Sequence, residues 1–252
     1  MGNIFSTTGM VLHRRAHREA DRVYVFLSRT HGKVELLAKG GAKILAKLTP
    51  QLESPGVVQV LVVEGRRGLT VAGVESVESF PLLARRPKAS VYAHAARALA
   101  DLTTRLHHAE PHTYTALEEW MRFLLRTPDE RLDALSWYTV ALHFLSAAGY
   151  GPELSLCVEC RQSIREKATW SSLKGGLLCE ACAAAQEGIT GKSLSPDTIR
   201  VLRFARREAL DEVNRLARSP EVLVEMGEVV ESLLLAHAPA LPAVSLSQMI
   251  FT

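Results

Sequence analysis

Residues 23–38 read VYVFLSRTHGKVELLA. Two β-rich runs, 23–28 and 34–38, flank His31-Gly32, a pair suited to a tight hairpin turn. Working outward, similar runs at 10–14, 57–63 and 69–77 bring the total to five candidate strands. Gly65-Arg66-Arg67-Gly68 suits a slightly longer hairpin between the last two. Lys39-Gly40-Gly41-Ala42-Lys43 and Leu45-Ala46-Lys47-Leu48 form a loop or a short helix between the third and fourth runs. Five short strands with a basic surface fit a small barrel such as the OB-fold, which binds single-stranded nucleic acid along its strands and loops. An SH3-like barrel would give almost the same pattern.

After Pro81 the β-branched runs stop, and Ala, Leu and charged residues recur at helical spacing. Helices are expected over 87–107, 113–126 and 129–148, with Asp129 capping the third and Gly149 and Pro152 stopping it. Leu132, Leu135, Tyr138, Leu142 and Leu145 make a stripe that must be buried. Ser195-Pro196-Asp197 and Ser219-Pro220-Glu221 are good helix starts, so two more helices are expected over 196–217 and 220–237. Residues 238–252 are expected to dock as a tail. The expected architecture is α+β. A five-stranded OB-fold barrel occupies residues 1–80, and an α-helical domain occupies 81–252 with a zinc ribbon-like segment inserted at 153–187.

The 252 residues are 47% hydrophobic, ample for a core, and carry a formal net charge of +3. That charge is uneven. Residues 1–80 hold 11 Lys and Arg against 7 Asp and Glu, a net of +4, while residues 81–252 hold 19 against 20, a net of −1. Arg85, Arg86 and Lys88 follow at once. The asymmetry favours a polyanionic partner for the first domain. No apolar run approaches the roughly 20 residues of a membrane span, and no signal-peptide pattern opens the chain. A cytoplasmic location is expected.

Cys157-Val-Glu-Cys160 and Cys179-Glu-Ala-Cys182 are separated by 18 residues, the spacing of a four-cysteine zinc site. Two residues within each pair let both thiolates reach one ion about 2.3 Å away, and two such knuckles complete a tetrahedron. Four sulfurs leave no position for water, so one structural zinc is expected rather than a catalytic one. Disulfides, a redox pair and an iron-sulfur cluster are the competing readings. Other motifs carry less. Gly188-Ile-Thr-Gly191-Lys192-Ser193 ends like a phosphate loop, but position 186 is Gln where that pattern needs Gly, and it reads as a turn. Trp120, Phe123, Trp137 and Phe144 sit at helical spacings and read as core. No His-Glu-x-x-His pair or nucleophile elbow supports a catalytic assignment.

At the N-terminus Val11-Leu-His-Arg-Arg, Glu19-Ala-Asp21-Arg22, Thr30-His-Gly32-Lys33 and Ala38-Lys39-Gly40-Gly41 resemble the opening of the RecO family of bacterial recombination mediators. The order of barrel, helices, paired cysteines and further helices is similar to that family over nearly the whole chain. The resemblance implies a nucleoid-associated protein, not an enzyme, that binds single- and double-stranded DNA and anneals complementary strands. With RecR it would help load RecA onto DNA coated by single-strand binding protein. Some relatives lack the cysteines, so the zinc would serve the fold. The expected phosphate contacts are Arg14, Arg15, Arg18, Arg22, Lys33, Lys39, Lys43 and Lys47, with Arg66 and Arg67 at a loop tip. Strand alternation cannot place them all on one face. An RNA-binding zinc-ribbon protein and a protein-interaction scaffold remain open as alternatives. A metal-dependent nuclease or deaminase would need a carboxylate cluster or a His-x-Glu element that the chain lacks.

Overall fold

The computed structural model describes residues 3–41, 49–66, 68–185, 191–217 and 219–238. They form two compact units, Met1–Asp129 and Glu130–Thr252.

In the first unit β1 (Ile4–His17), β2 (Asp21–Ser28), β3 (Gly32–Ala38), α1 (Thr49–Glu53), β4 (Gly56–Gly65) and β5 (Gly68–Ser79) follow in chain order. The strands close into a barrel in the order β1-β2-β3-β5-β4. Closure needs one strand long enough to serve two neighbours. β1 pairs with β4 over Ile4 to Gly9 and with β2 from Gly9 to His17, bending at a bulge between Val11 and His13. On the far side β3 and β5 run parallel, with Leu36 opposite Leu69. The strand order and the helix between β3 and β4 are those of an OB-type barrel, as the five β-rich runs predict.

β1 starts well before the expected residue 10. Its first half, Ser6-Thr7-Thr8-Gly9, is small and polar and hides the strand signal. The structure uses that composition. The Thr7 hydroxyl meets Ser28 Oγ at 2.5 Å inside the barrel, and a Cβ on Gly9 would lie 2.2 Å from the Leu27 carbonyl oxygen. Tyr24, Phe26, Leu36, Val60 and Val62 fill the interior with no exposed surface. Each contributes about 1.5–3 kcal/mol through burial.

Two longer helices also belong to this unit, α2 (Pro87–Thr103) and α3 (Pro111–Arg126). Trp120 locks them together, its Nε1 donating to the Tyr92 carbonyl at 3.3 Å and its ring stacking on Phe123 at 5.4 Å. The chain leaving α2 runs beside β3, where the His107 amide donates to the Lys33 carbonyl at 2.8 Å. Gly32 has φ +66°, and a Cβ there would strike the His108 carbonyl. Arg86 acts as a clasp. Its guanidinium donates to the Leu124 carbonyl at 2.6 Å, to the Thr127 carbonyl, and to Asp129 Oδ1 from Nε at 2.9 Å. It therefore satisfies the orphan carbonyls at the end of α3.

The second unit holds α4 (Ala134–Ala147), β6 (Ala168–Ser171), β7 (Gly176–Leu178), α5 (Glu180–Ala184), β8 (Lys192–Leu194), α6 (Pro196–Arg207), α7 (Leu210–Val213) and α8 (Pro220–His237). α4 packs on α6, α7 and α8. Leu132, Leu135, Tyr138, Leu142 and Leu145 are all buried, as the stripe requires. α8 approaches α4 so closely that a Cβ on Gly227 would lie 2.6 Å from the Tyr138 hydroxyl.

Several expectations are corrected. Asp133 rather than Asp129 caps α4, accepting from the Ser136 amide at 3.0 Å, because Asp129–Arg131 forms a separate 3-10 turn whose Asp129 serves Arg86. The helix expected over 196–217 breaks at Glu208 and Ala209, both extended, into α6 and α7. Lys192 and Ser193 are not a turn but part of β8, paired with Trp170 and Thr169. Ser195 and Ser219 cap their helices as expected, and Trp120, Phe123, Trp137 and Phe144 are core. The docked tail expected at 238–252 lies outside the described residues beyond Ala238.

Candidate nucleic-acid interface and metal centre

The cysteine segment is a three-stranded sheet in the order β7-β6-β8 with a knuckle at each end. In the first knuckle the Arg161 amide donates back to the Cys157 carbonyl at 3.0 Å, and Arg161 takes φ +63° to complete the turn. The second is the start of α5, where the Cys179 carbonyl accepts from the Ala183 amide at 2.9 Å. Gly176 lets the two approach, since a Cβ there would lie 2.4 Å from Val158 Cγ1. Trp170 Nε1 donates to Ser232 Oγ at 2.8 Å and fastens the sheet to α8.

These turns bring all four sulfurs within 4.8 Å of one another. An ion bonded to four thiolates at 2.3 Å sets the sulfurs about 3.8 Å apart. Cys160 Sγ and Cys179 Sγ are 3.8 Å apart, too far for a disulfide bond. The Cys179 amide also points at Cys157 Sγ, 3.4 Å away. Burial opposes ionisation of Cys157, but amide donors from Cys179, Cys160 and Glu159 outweigh it and lower its pKa to about 6. Hydrogen bonds with Cys179 and Cys160 push Cys182 up to about 12. The site thus fits a tetrahedral metal ion, and no ligand position is left for a substrate.

The basic residues of the barrel divide into two groups. Arg14 on β1 and Arg22 on β2 converge on one oxygen of Glu53, at the end of α1. Arg15 points to the opposite side of β1 and pairs with Glu35 at 2.8 Å. Lys33 is the most committed, its Nζ donating to Asp101 Oδ1 at 3.0 Å and to the Asp101 carbonyl at 2.6 Å. The second group is exposed and unpaired among the described residues: Arg18 in the β1–β2 turn, Lys39 after β3, and Arg66 after β4. Arg18 takes φ +55°. The Gly40 amide donates to Asp21 Oδ1 at 2.8 Å, which holds the Lys39 turn against the Arg18 turn. Lys43, Lys47 and Arg67 lie outside the described residues.

Arg86, counted with the basic stretch after residue 80, is a structural clasp. The acids that pair with the first group, Glu53, Glu35 and Asp101, lie 39, 20 and 68 residues along the chain from Arg14, Arg15 and Lys33, beyond the reach of local sequence reasoning. No described helix is long and apolar enough to cross a membrane.

A closed OB-type barrel with a cationic turn surface, followed by helices and a cluster of four cysteines spaced to hold a metal ion, defines the class. Comparison with known proteins narrows it. Residues 1–80 match the model of the family "Recombination protein O N terminal", and residues 85–246 match "Recombination protein O C terminal". The chain belongs to the RecO family. It is 28% identical over 215 residues, 84% of this chain and 77% of the relative, to the protein named DNA repair protein RecO in Desulfitobacterium hafniense. Against the protein of that name in Dehalococcoides mccartyi strain 195 it is 26% identical, covering 88% and 86% of the two chains. Against that of Alkaliphilus metalliredigens it is 23% identical, covering 93% and 94%.

Proposed function

We infer that this chain acts in recombinational DNA repair as a mediator that makes and breaks no covalent bond. It binds single- and double-stranded DNA, anneals complementary strands and, with RecR, helps load RecA onto DNA coated by single-strand binding protein. One zinc ion, held by Cys157, Cys160, Cys179 and Cys182, fastens the second unit. The protein acts in the cytoplasm, at the nucleoid. The observation that carries the reading is the pair of family matches, which together span both units.

The geometry supplies a physical route. Annealing needs attraction to phosphates weak enough for strands to search, and exposed Lys and Arg give that, with affinity that falls steeply as salt rises. Arg18, Lys39 and Arg66 have no acid to neutralise them among the described residues. Arg14 and Arg22, sharing Glu53, retain one net charge at the same end of β1 and β2. The barrel contributes few aromatic residues, with Tyr24, Phe26 and Phe80 fully buried, so binding rests on charge and has weak sequence preference.

An annealing assay on complementary strands, bare and coated with single-strand binding protein, with and without RecR, tests this. The expected result is annealing of bare strands by the protein alone. A parallel competition between matched DNA and RNA oligonucleotides should favour DNA. Failure to bind any nucleic acid at low salt would end the reading.

A further inference from the structure

The net charge of −1 over residues 81–252 conceals a second basic island, far in sequence from the barrel. α6 carries Arg200, Arg203, Arg206 and Arg207 in eight residues. Arg203 and Arg206 reach back to the chain leading into and out of the first cysteine knuckle. Arg203 Nε donates to the Leu154 carbonyl and its Nη2 to the Ile164 carbonyl, both at 2.8 Å, and Arg206 donates to the Pro152 carbonyl. Arg161, next to Cys160, is exposed beside the same stretch.

Carbonyls, not carboxylates, receive these guanidiniums. Glu153 is an acid whose field reaches Arg161, Arg203 and Arg206. Its Oε1 is taken by the Ser155 and Leu156 amides at 2.8 and 3.2 Å. Arg200 pairs with Asp197 one turn earlier on α6, whereas among the described residues no carboxylate forms an ion pair with Arg161, Arg203, Arg206 or Arg207. With Asp197 and Glu153 set against five arginines, the cluster keeps a net positive charge. Burial lowers the Arg203 pKa, and the neighbouring Arg207 charge lowers it further.

An exposed aromatic ring stands among these charges. Phe204 is 36% exposed. It is four residues after Arg200 and three before Arg207, so the three share one face of α6. Guanidinium forks grip phosphate in a planar, bidentate way, and an aromatic ring between them offers a surface on which a base can stack.

We propose that the α6 face, with Arg200, Phe204 and Arg207 flanked by Arg161 and Arg203, is a second nucleic-acid contact that binds the sugar-phosphate backbone of a single strand and stacks one base on Phe204. The proposal rests on the DNA-binding reading above. It gives a protein that pairs two strands a contact in each unit, and it gives the cysteine cluster a use, since the chain on either side of the first knuckle supplies the carbonyls that pose Arg203 and Arg206. An acidic protein segment would use the arginines but leave the ring without a role.

The test uses the full-length, zinc-loaded protein and a fluorescent oligothymidine strand, titrated at several salt concentrations. The variants are R200Q/R207Q, which spares the two arginines that staple the knuckle, F204A, and the barrel variant R18E/K39E. Each lost phosphate contact should flatten the slope of log affinity against log salt by about 0.7. R200Q/R207Q should therefore flatten it by about 1.4, and F204A should weaken single-strand binding by roughly fivefold or more while sparing duplex binding. Zinc content and melting temperature should match the parent protein. If the parent protein binds no strand at low salt, the DNA-binding reading falls and the inference with it. If the parent binds and R18E/K39E weakens it, but R200Q/R207Q and F204A keep parental affinity and slope, the inference alone is overturned. A loss of poly-glutamate binding with strand binding unchanged would reassign the face to an acidic protein and overturn it too. So would a lowered melting temperature with an unchanged slope, which would mark the arginines as partners of the helix dipole.

Discussion

The barrel and the cysteine segment are both small β structures, held together by opposite means. In the barrel, strands of 7 to 14 residues share a closed ladder and enclose a core with ten buried side chains among the described residues. In the cysteine segment the strands are 4, 3 and 3 residues long. Strands that short need packing or a staple to be stable in water, and beside the buried Trp170, Leu177 and Leu178 the four clustered cysteines offer one. The comparison separates what folds the chain from what it does, because the barrel core is buried and the four sulfurs face one another.

Removing the proposed zinc should break the comparison most sharply. Structural zinc contributes on the order of 10–16 kcal/mol to the folding of small metal-dependent domains. Chelation, or Cys160→Ser, should therefore abolish amide-exchange protection in β6, β7 and the two knuckles while the barrel strands remain protected. Loss of protection in both at once would mean that the units do not fold separately.

The converse change is Phe26→Ala, which empties a fully buried site in the barrel. It should cost about 3–5 kcal/mol, seen as a lower denaturation midpoint for the first unit with the metal content unchanged. Arg86→Met is a smaller perturbation that leaves the α3 carbonyls and Asp129 without their donor. It should destabilise the first unit by about 1–3 kcal/mol, measured by urea denaturation, and leave nucleic-acid affinity untouched.

The smallest expected effect is a pH dependence confined to the second unit. Burial acts to raise the Glu225 pKa, but hydrogen bonds from Thr198 and Ser195 outweigh it and hold the carboxyl below its ordinary value. The Ser155 amide does the same for Glu153. Both groups bind a proton more readily unfolded than folded, so their stabilisation is present above the ordinary carboxylate pKa and is lost as pH falls through the folded values. Denaturation midpoints of the second unit should fall below about pH 4.5, and Glu225→Gln should flatten that decline.

Much of this was legible in the sequence because it is written locally. The β-branched runs, the Ser-Pro helix starts and the spacing of the cysteines each act within a few residues. The first half of β1 was hidden because Ser6, Thr7, Thr8 and Gly9 are chosen for a close approach to Ser28 and Phe26 rather than for strand propensity. The break after α6 was hidden because neither Glu208 nor Ala209 is a helix-stopping residue. The candidate interface was legible in composition but not in availability. Whether a lysine is free depends on acids distant in sequence, and Lys33 and Lys39, six residues apart, have opposite fates: Lys33 is held by Asp101 and Lys39 is exposed.

That contrast supplies the most direct test of the central claim, that exposed charge at the barrel turns, separate from the groups that hold the fold, carries DNA binding. The measurement is the affinity for a single strand across a salt series, with melting temperature in parallel, for R18E/K39E and for Lys33→Met. R18E/K39E should bind at least about tenfold more weakly with a reduced salt slope and an unchanged melting temperature. Lys33→Met should melt a few degrees lower and bind as the parent does. Parental affinity in R18E/K39E, or a loss of binding in Lys33→Met that exceeds its loss of stability, would contradict the account.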